Sequence, residues 1–348
     1  MSRQPLTIVG SGMLTGVGLS APASCAAIRC GINNFQETRF MDSAGEWIVA
    51  SEVPLEQPWR GPEKLARMLA SVLEESFDTD PGLSPAETPV IVCFSERERP
   101  GRPDDLNERV LESTSRLLDF QLHPGSMTIS QGRVGGAVGL REARRILYEQ
   151  RVPAVIVAAV DSYLSAPTLG AYEEKSRLLT AANSNGFIPG EGAAAVIVKL
   201  PRPSEDPQLI LVGLGFGVEK STIESEEPLR ADGLVQAIQA SLTEAGTDFG
   251  SLDFRITDVS GEQYWFKEAS LAITRILRTK KDEFDIWHAA DCIGETGSTA
   301  GPAAFNVAWA ANQKDYSKGN NVLCHFGNDD GKRAAAVFTY QPVMAHGE

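Results

Sequence analysis

The feature that most limits how this chain can fold is that its second half repeats its first. LTIVGSG at 6–12 is echoed by LILVGLG at 209–215, LARMLASVLEESF by LVQAIQASLTEAG, and PVIVCFSERE by FRITDVSGE. The helical run before His123 has its counterpart in KEASLAITRIL. Towards the end, FDIWHAADCIGETGSTAGPAAFNVAWA repeats strand, Gly-rich elbow and Ala-rich helix, and NNVLCHFGNDDGKRAAAVFTY repeats strand, glycine turn and final strand. Similarity in matched order within one chain is a signature of duplication. The polar, Pro-rich break PRPSEDP at 201–207 divides the copies, giving halves 1–200 and 207–342.

The first half is organised around the stretch from Met127 to Leu164, MTISQGRVGGAVGLREARRILYEQRVPAVIVAAVDSYL. The apolar runs MTIS and VPAVIVAAV are strands, and the segment between them has small residues on one face and Arg141, Glu142, Arg144 and Arg145 on the other. That is a β-α-β unit with a Gly-rich elbow. Such an elbow presents its tip residue at a helix N-terminus, where free amides and the helix dipole favour negative charge. Here the tip is Arg133, which is no nucleophile and stays protonated.

Composition excludes several classes. With 46 acidic against 32 basic residues the formal charge is -14, which opposes general attraction to nucleic acid phosphates. Apolar runs are too short to span a bilayer and no signal-peptide pattern opens the chain, so no membrane association and a cytoplasmic location are expected. Five cysteines are scattered without paired ligand spacing, and Cys93 and Cys324 fall in strand-like runs as buried small hydrophobes. Glycines at 10, 12, 16 and 18 miss the dinucleotide-binding spacing and read as a tight loop. No cofactor and no metal is expected.

The remaining elements follow in order. APASCAAIRCG and PEKLARMLASVLEESF are helices, residues 31 to 60 a surface excursion, TPVIVCF a buried strand, and PTLGAYEEKSRLLT a helix. FIPGEGAAAVIVKL reads as a hairpin around its Pro-Gly-Glu-Gly turn. Two β-α-β-α-β copies would pack two mostly parallel sheets between helices, with the Ala-rich helices in the middle. The expected fold class is α/β, in five layers α-β-α-β-α.

On these motifs the chain resembles the thiolase superfamily, and within it the β-ketoacyl-acyl carrier protein synthases, over nearly its whole length. The segments that carry the resemblance are NGFIPGEGAAAVIV at 185–198, ISQGRVGGAVGLREA, AADCIGETGSTAGPA and HFGNDDG, with Asn185 where the family pattern has aspartate. Glu191 is similar to a structural carboxylate of that family, or is a turn or salt-bridge residue. The family uses a cysteine nucleophile, two histidines and a lysine. The resemblance puts Arg133 at the cysteine, with Gln131 two residues earlier, Ser260 and Glu295 at the histidines, and Ala290 near the lysine. Cysteine thioester chemistry needs a sulfur that Arg133 does not supply.

Arg133 and Glu295 either close on each other as an ion pair that plugs the pocket, or wait as a fork of donors for a carboxylate or phosphate. A substitute Cys/His arrangement would draw on Cys292 with His288 or His325. Three functions remain open. One is a catalytically inactive structural, adaptor or chaperone-like partner, similar to accessory proteins of type VI secretion effectors. Another is an acyltransferase or acyl-thioester-binding enzyme with Glu295 as base and Ser130, Ser260 or Cys292 as nucleophile. The third is a non-catalytic partner subunit of an active synthase. The resemblance further implies a dimer, joined along a strand edge in the AVIVAAVDSYL region, with a secretion effector, acyl carrier protein or synthase subunit as further protein partner. It also implies a chain short for such a synthase, with trimmed loops over the substrate entrance.

Overall fold

The computed structural model describes residues 4–202 and 207–341. Residues 1–3, the heart of the Pro-rich break at 203–206, and residue 342, where the second half was expected to end, lie outside the described residues. The first half runs β1 (Leu6–Thr15), α1 (Ala21–Arg29), β2 (Phe35–Met41), β3 (Trp47–Ser51), α2 (Gly61–Thr79), β4 (Val90–Phe94), α3 (Leu106–Leu117), β5 (Met127–Ser130), α4 (Gly135–Gln150), β6 (Val155–Ser162), α5 (Ala166–Glu174) and β7 (Glu191–Lys199). The second half runs β8 (Gln208–Val218), α6 (Asp232–Ala245), β9 (Phe254–Thr257), α7 (Gln263–Ile276), β10 (Ile286–His288), α8 (Ala290–Ile293), α9 (Ala300–Gln313), β11 (Asn321–Gly327) and β12 (Lys332–Gln341).

Ten strands form one sheet in the order β10-β9-β11-β12-β8-β1-β7-β6-β4-β5. Outward from the centre the two halves read alike, β1-β7-β6-β4-β5 on one side and β8-β12-β11-β9-β10 on the other. The pairing senses also match. β4 is parallel to β5 and β6, while β7 is antiparallel to β6 and β1. Likewise β9 is parallel to β10 and β11, while β12 is antiparallel to β11 and β8. The halves meet through an antiparallel pairing of β1 with β8, Leu6 opposite Leu211 and Ile8 opposite Leu209.

This corrects the expected two mostly parallel sheets: the sheet is mixed and continuous. The last strand of each half reverses direction, most plainly β12, which returns from β11 through a tight turn that only an antiparallel pair allows.

Three core clusters explain the layering. α4 and α9 bury their small residues, Gly136, Ala137, Ala303 and Ala304 among them, in a central cluster shared by strands of both halves. α9 is apolar on nearly every side, as a helix enclosed by other elements must be. α2 and α3 cover the outer face of one half-sheet, α6 and α7 that of the other.

Four local expectations need correction. The excursion at 31–60 contains the β2–β3 hairpin, which packs Ile48 and Phe40 on Tyr163, Tyr172 and Phe187. The Pro-Gly-Glu-Gly segment is no hairpin. Pro189 and Gly190 are pinned by backbone bonds to Ser51 and Glu295, and β7 starts at Glu191, whose buried carboxylate cannot sit at a solvated turn. α5 stops at Glu174, because Ser176 adopts a positive φ of 53°. Finally, β6 is no edge. It lies between β4 and β7, consistent with its near-continuous apolar sequence, and the sheet edges are β5 and β10.

Candidate functional site

The two elbows meet at the centre of the molecule. Gly132 (φ 53°) opens a single 3₁₀ turn that feeds α4, and Gly297 (φ 56°) does the same for α9. A Cβ at either glycine would lie 2.2 Å from Glu96 Oε2 or 2.1 Å from Asp161 Oδ2, so both the dihedral and the space demand glycine. The turns are clasped reciprocally across the halves. Val134 N–H donates to Asn328 Oδ1 (3.2 Å), and Ser298 N–H donates to Asp161 Oδ2 (2.8 Å).

Arg133 leaves the first elbow and is buried at 4% exposure. Its Nη1 donates to Glu295 Oε2 (3.2 Å) and its Nη2 to Asp329 Oδ1 (2.8 Å), while Nε lies 3.7 Å from Asp258 Oδ2. The guanidinium also rests on the Trp265 ring, 4.2 Å from its centroid. Glu295 is saturated in turn. Oε2 also accepts from Ser260 Oγ (2.8 Å), and Oε1 accepts from Gly297 N–H (2.9 Å). Arg133, Ser260 and Glu295, separated by up to 162 residues, therefore form one hydrogen-bonded cluster.

The cluster extends outward through carboxylates and arginines. Asp329 accepts from Arg177 Nη1 (2.5 Å) as well as Arg133, and Arg177 grips Glu262 with two bonds of 2.8 Å. On the other side Arg99 bonds Glu96 and Asp161. Burial alone would lower the pKa of Arg133, but Glu295, Asp329 and Asp258 together outweigh it and hold it well above the ordinary value. Burial raises the pKa of Asp329, yet Arg133 and Arg177 overcome this and bring it to about 2. Asp258 differs: burial pushes it up to about 7, and the more distant Arg133 only partly offsets that. Such a network is expensive to desolvate and is tolerated only because its members are paired.

No nucleophile is free in this arrangement. The Arg133 guanidinium holds its protons, Ser260 Oγ donates its hydrogen bond to Glu295, and Glu295 Oε2 already accepts from Arg133. The cavity that Glu295 lines, walled by Ala290, Ala300, Ala303 and Ala304, has a volume of about 20 Å³. That admits about one water molecule and no acyl chain.

The other residues singled out in the sequence do not join this cluster. Ser130 accepts from Asn107 Nδ2 (3.0 Å) beside the sheet edge, and the Gln131 carbonyl accepts from Asn328 Nδ2 (2.7 Å). Ala290 opens α8 and contributes only a methyl wall. Cys292 is buried in the central cluster and lines a separate cavity with His288 and Trp287; burial, then Asp291, raises its thiol pKa. His288 Nδ1 lies 3.2 Å from Asp291 Oδ1 but outside hydrogen-bonding geometry, so the short distance makes no bond. His325 projects from β11 on the face opposite Cys324 and Phe326, which belong to the central cluster, and so cannot reach Cys292. Burial, assisted by Arg255, depresses its pKa to about 3, so it is neutral.

Glu191 is the salt-bridge carboxylate of its alternatives: it pairs with Lys64 and accepts from Val53 N–H (2.9 Å) and Ser162 Oγ (2.8 Å). Asn185 Oδ1 accepts from Gln263 N–H (2.8 Å) at the start of α7. Sequence reasoning missed Asp258, Asp329, Arg177 and Glu262. Asp258 and Asp329 lie within segments matched on their glycines, but no spacing rule marks them as partners of Arg133.

No family model matches the chain, and no curated protein sequence matches it. Solved structures do. The chain superposes with a TM-score of 0.79 at 13% identity on the structure of a type II polyketide synthase acyl carrier protein in complex with its ketosynthase bound to the hexaketide, covering 97% of this chain and 100% of that one. For the ishigamide ketosynthase/chain length factor the TM-score is 0.72 at 17% identity, with 96% and 99% covered. A ketosynthase in complex with its chain length factor from Xenorhabdus doucetiae gives 0.73 at 15% identity, with 97% and 98% covered. The chain has the fold of these ketosynthase structures. Among the described residues no helix is long and apolar enough to cross a membrane.

Proposed function

We propose that this ketosynthase-fold protein does not condense acyl thioesters and acts as a structural, adaptor or chaperone-like partner of another protein. In this reading Arg133, Ser260 and Glu295 stand where the resemblance puts the nucleophile and the two histidines, and the repeated strand order in five layers is the trace of an internal duplication. The observation that carries it is the closure of those three side chains on one another at 3.2 and 2.8 Å, with room for about one water beside them. An acyl-transfer site built from Cys292 and His325 is disfavoured because they lie on opposite faces of the sheet. The test is intact-mass spectrometry after incubation with acyl-CoA and acylated carrier protein. No covalent adduct is expected; an adduct abolished by Cys292→Ser would sink the proposal.

A second reading is a non-catalytic subunit paired with an active condensing enzyme. What favours it is the open edge of β5, together with the complexes in which some of the similar structures were solved, ketosynthases with chain length factors or an acyl carrier protein. A homodimer would use the same edge. A secretion effector as partner rests on the sequence resemblance alone.

A further inference from the structure

We infer that the cavity between the starts of α2, α3 and α5 binds a small amphipathic anion, a carboxylate or phosphate carried on an apolar chain. It has a volume of about 480 Å³, within the range of small-molecule sites. None of Arg133, Glu295 and Ser260 lines it, while Arg99 and Asp161, at the outer end of their network, form part of its wall.

Charge is the first argument. Five basic side chains and three carboxylates line this cavity in a protein whose formal charge is -14. Glu52 and Glu191 share Lys64, and Asp161 pairs with Arg99, so the five basic and three acidic groups leave a net formal charge of +2 (5 − 3) on the lining. Three arginines are left, Arg39, Arg60 and Arg102, none of which has a carboxylate partner among the described residues. Arg39 lies over Phe40, and Arg102 donates only to neutral oxygens of Ser95, Pro103, Asn107 and Ser130. Elsewhere arginines of this chain are mostly paired, as Arg67, Arg116, Arg144 and Arg275 are. The donors of Arg102 are thus already used by the protein, whereas Arg39 and Arg60 line the cavity with guanidiniums that have no carboxylate partner and can take an anion by the ordinary chemistry of that group.

The backbone adds to this. α2, α3 and α5 begin at Gly61, Leu106 and Ala166, and each of these residues lines the cavity. At α2 and α3 the residue before the helix makes no side-chain cap; Pro62 has no N–H and Leu106 N–H already donates to Pro103 O, so the amide left for a ligand is that of Gly61, where the helix dipole favours negative charge. The walls supply the second half of the chemistry. Phe40, Trp59, Leu65, Leu106 and Leu164 line the same space, so an ion with no apolar body would leave them wet.

The test is titration calorimetry of the full chain with decanoate and decyl phosphate, using decanol and decyltrimethylammonium as controls, all below their micellar concentrations. Saturable one-to-one binding of at least one anion is expected, with both controls at least tenfold weaker. The double variant Arg39→Gln/Arg60→Gln, whose side chains are exposed and unpaired, should keep the wild-type melting temperature and lose binding tenfold or more. Equal binding of the alcohol or the cation, unchanged binding by the double variant, or no binding of either anion would overturn the inference. The ligand adds no covalent mass, so this result is read independently of the acyl-adduct experiment, and the two can fail separately.

Discussion

Asp258 accepts one backbone hydrogen bond, from Gly327 N–H at 2.9 Å, and its nearest cation, Arg133 Nε, is 3.7 Å away. That is too little to offset burial, hence its pKa of about 7 against 3.8 for the ordinary group. A carboxyl whose pKa is raised on folding gives stability that is present below its unfolded pKa and lost as pH rises through the folded one. The window is thus about pH 4 to 7. Asp258→Asn, which keeps an acceptor for Gly327 and removes the titration, should stabilise the protein at pH 8 by roughly 2–4 kcal/mol and change little at about pH 3.5, below the window. Urea denaturation at the two pH values measures it; an identical difference at both would refute the assignment. Asp329 runs the opposite way, its stability present above the ordinary pKa of 3.8 and lost as pH falls from there through about 2. At this scale the sequence named Arg133, Ser260 and Glu295 but not the carboxylate that holds Arg133 from the other side. Asp329 lies 196 residues from Arg133, and no local pattern encodes such a pairing.

At the scale of elements the deciding contact is where α4 and α9 touch. A Cβ on Gly136 would lie 2.7 Å from Pro302 Cδ and 3.1 Å from Gly301 Cα, and both neighbours are rigid. Gly136→Ala gains intrinsic helix propensity of up to about 1 kcal/mol, yet the overpacking opposes it with about 1–3 kcal/mol. A net loss of stability is expected in thermal unfolding, whereas Gly170→Ala in α5, where an added Cβ meets nothing within 4 Å, should be neutral or stabilising. A gain at Gly136 would show that the helices can separate. The β-α-β unit from β5 to β6 was legible from its apolar runs and glycines, because those signals are local. The β2–β3 hairpin was not, since its alternation is masked by the exposed Met41, Trp47 and Val49.

For the whole molecule, the edge strands are where assembly is predicted. β5 has only four residues, Thr128 is exposed, and no strand covers its outer side among the described residues. Uncovered edges recruit other strands. Light scattering should find a dimer, either of this chain or with a partner chain, and Thr128→Pro, which removes an amide donor from the edge, should weaken it at least tenfold. A monomer at all concentrations and with every candidate partner would rule out assembly through β5.

The repeat of apolar strands, Gly-rich elbows and Ala-rich helices was enough to determine the class of fold, because strand and helix periodicities are written in neighbouring residues. The elbow glycines likewise announced where two helices would start. Sheet continuity, the burial of β6 between two neighbours and the choice between an open pocket and a closed ion pair were left to the tertiary structure. Each of those depends on which distant groups arrive at the same point. Arg133 was visible as a misplaced cation in the sequence, but only the meeting of β5, β9, α8 and the turn after β11 surrounds it with Asp258, Glu295 and Asp329 and makes its burial possible.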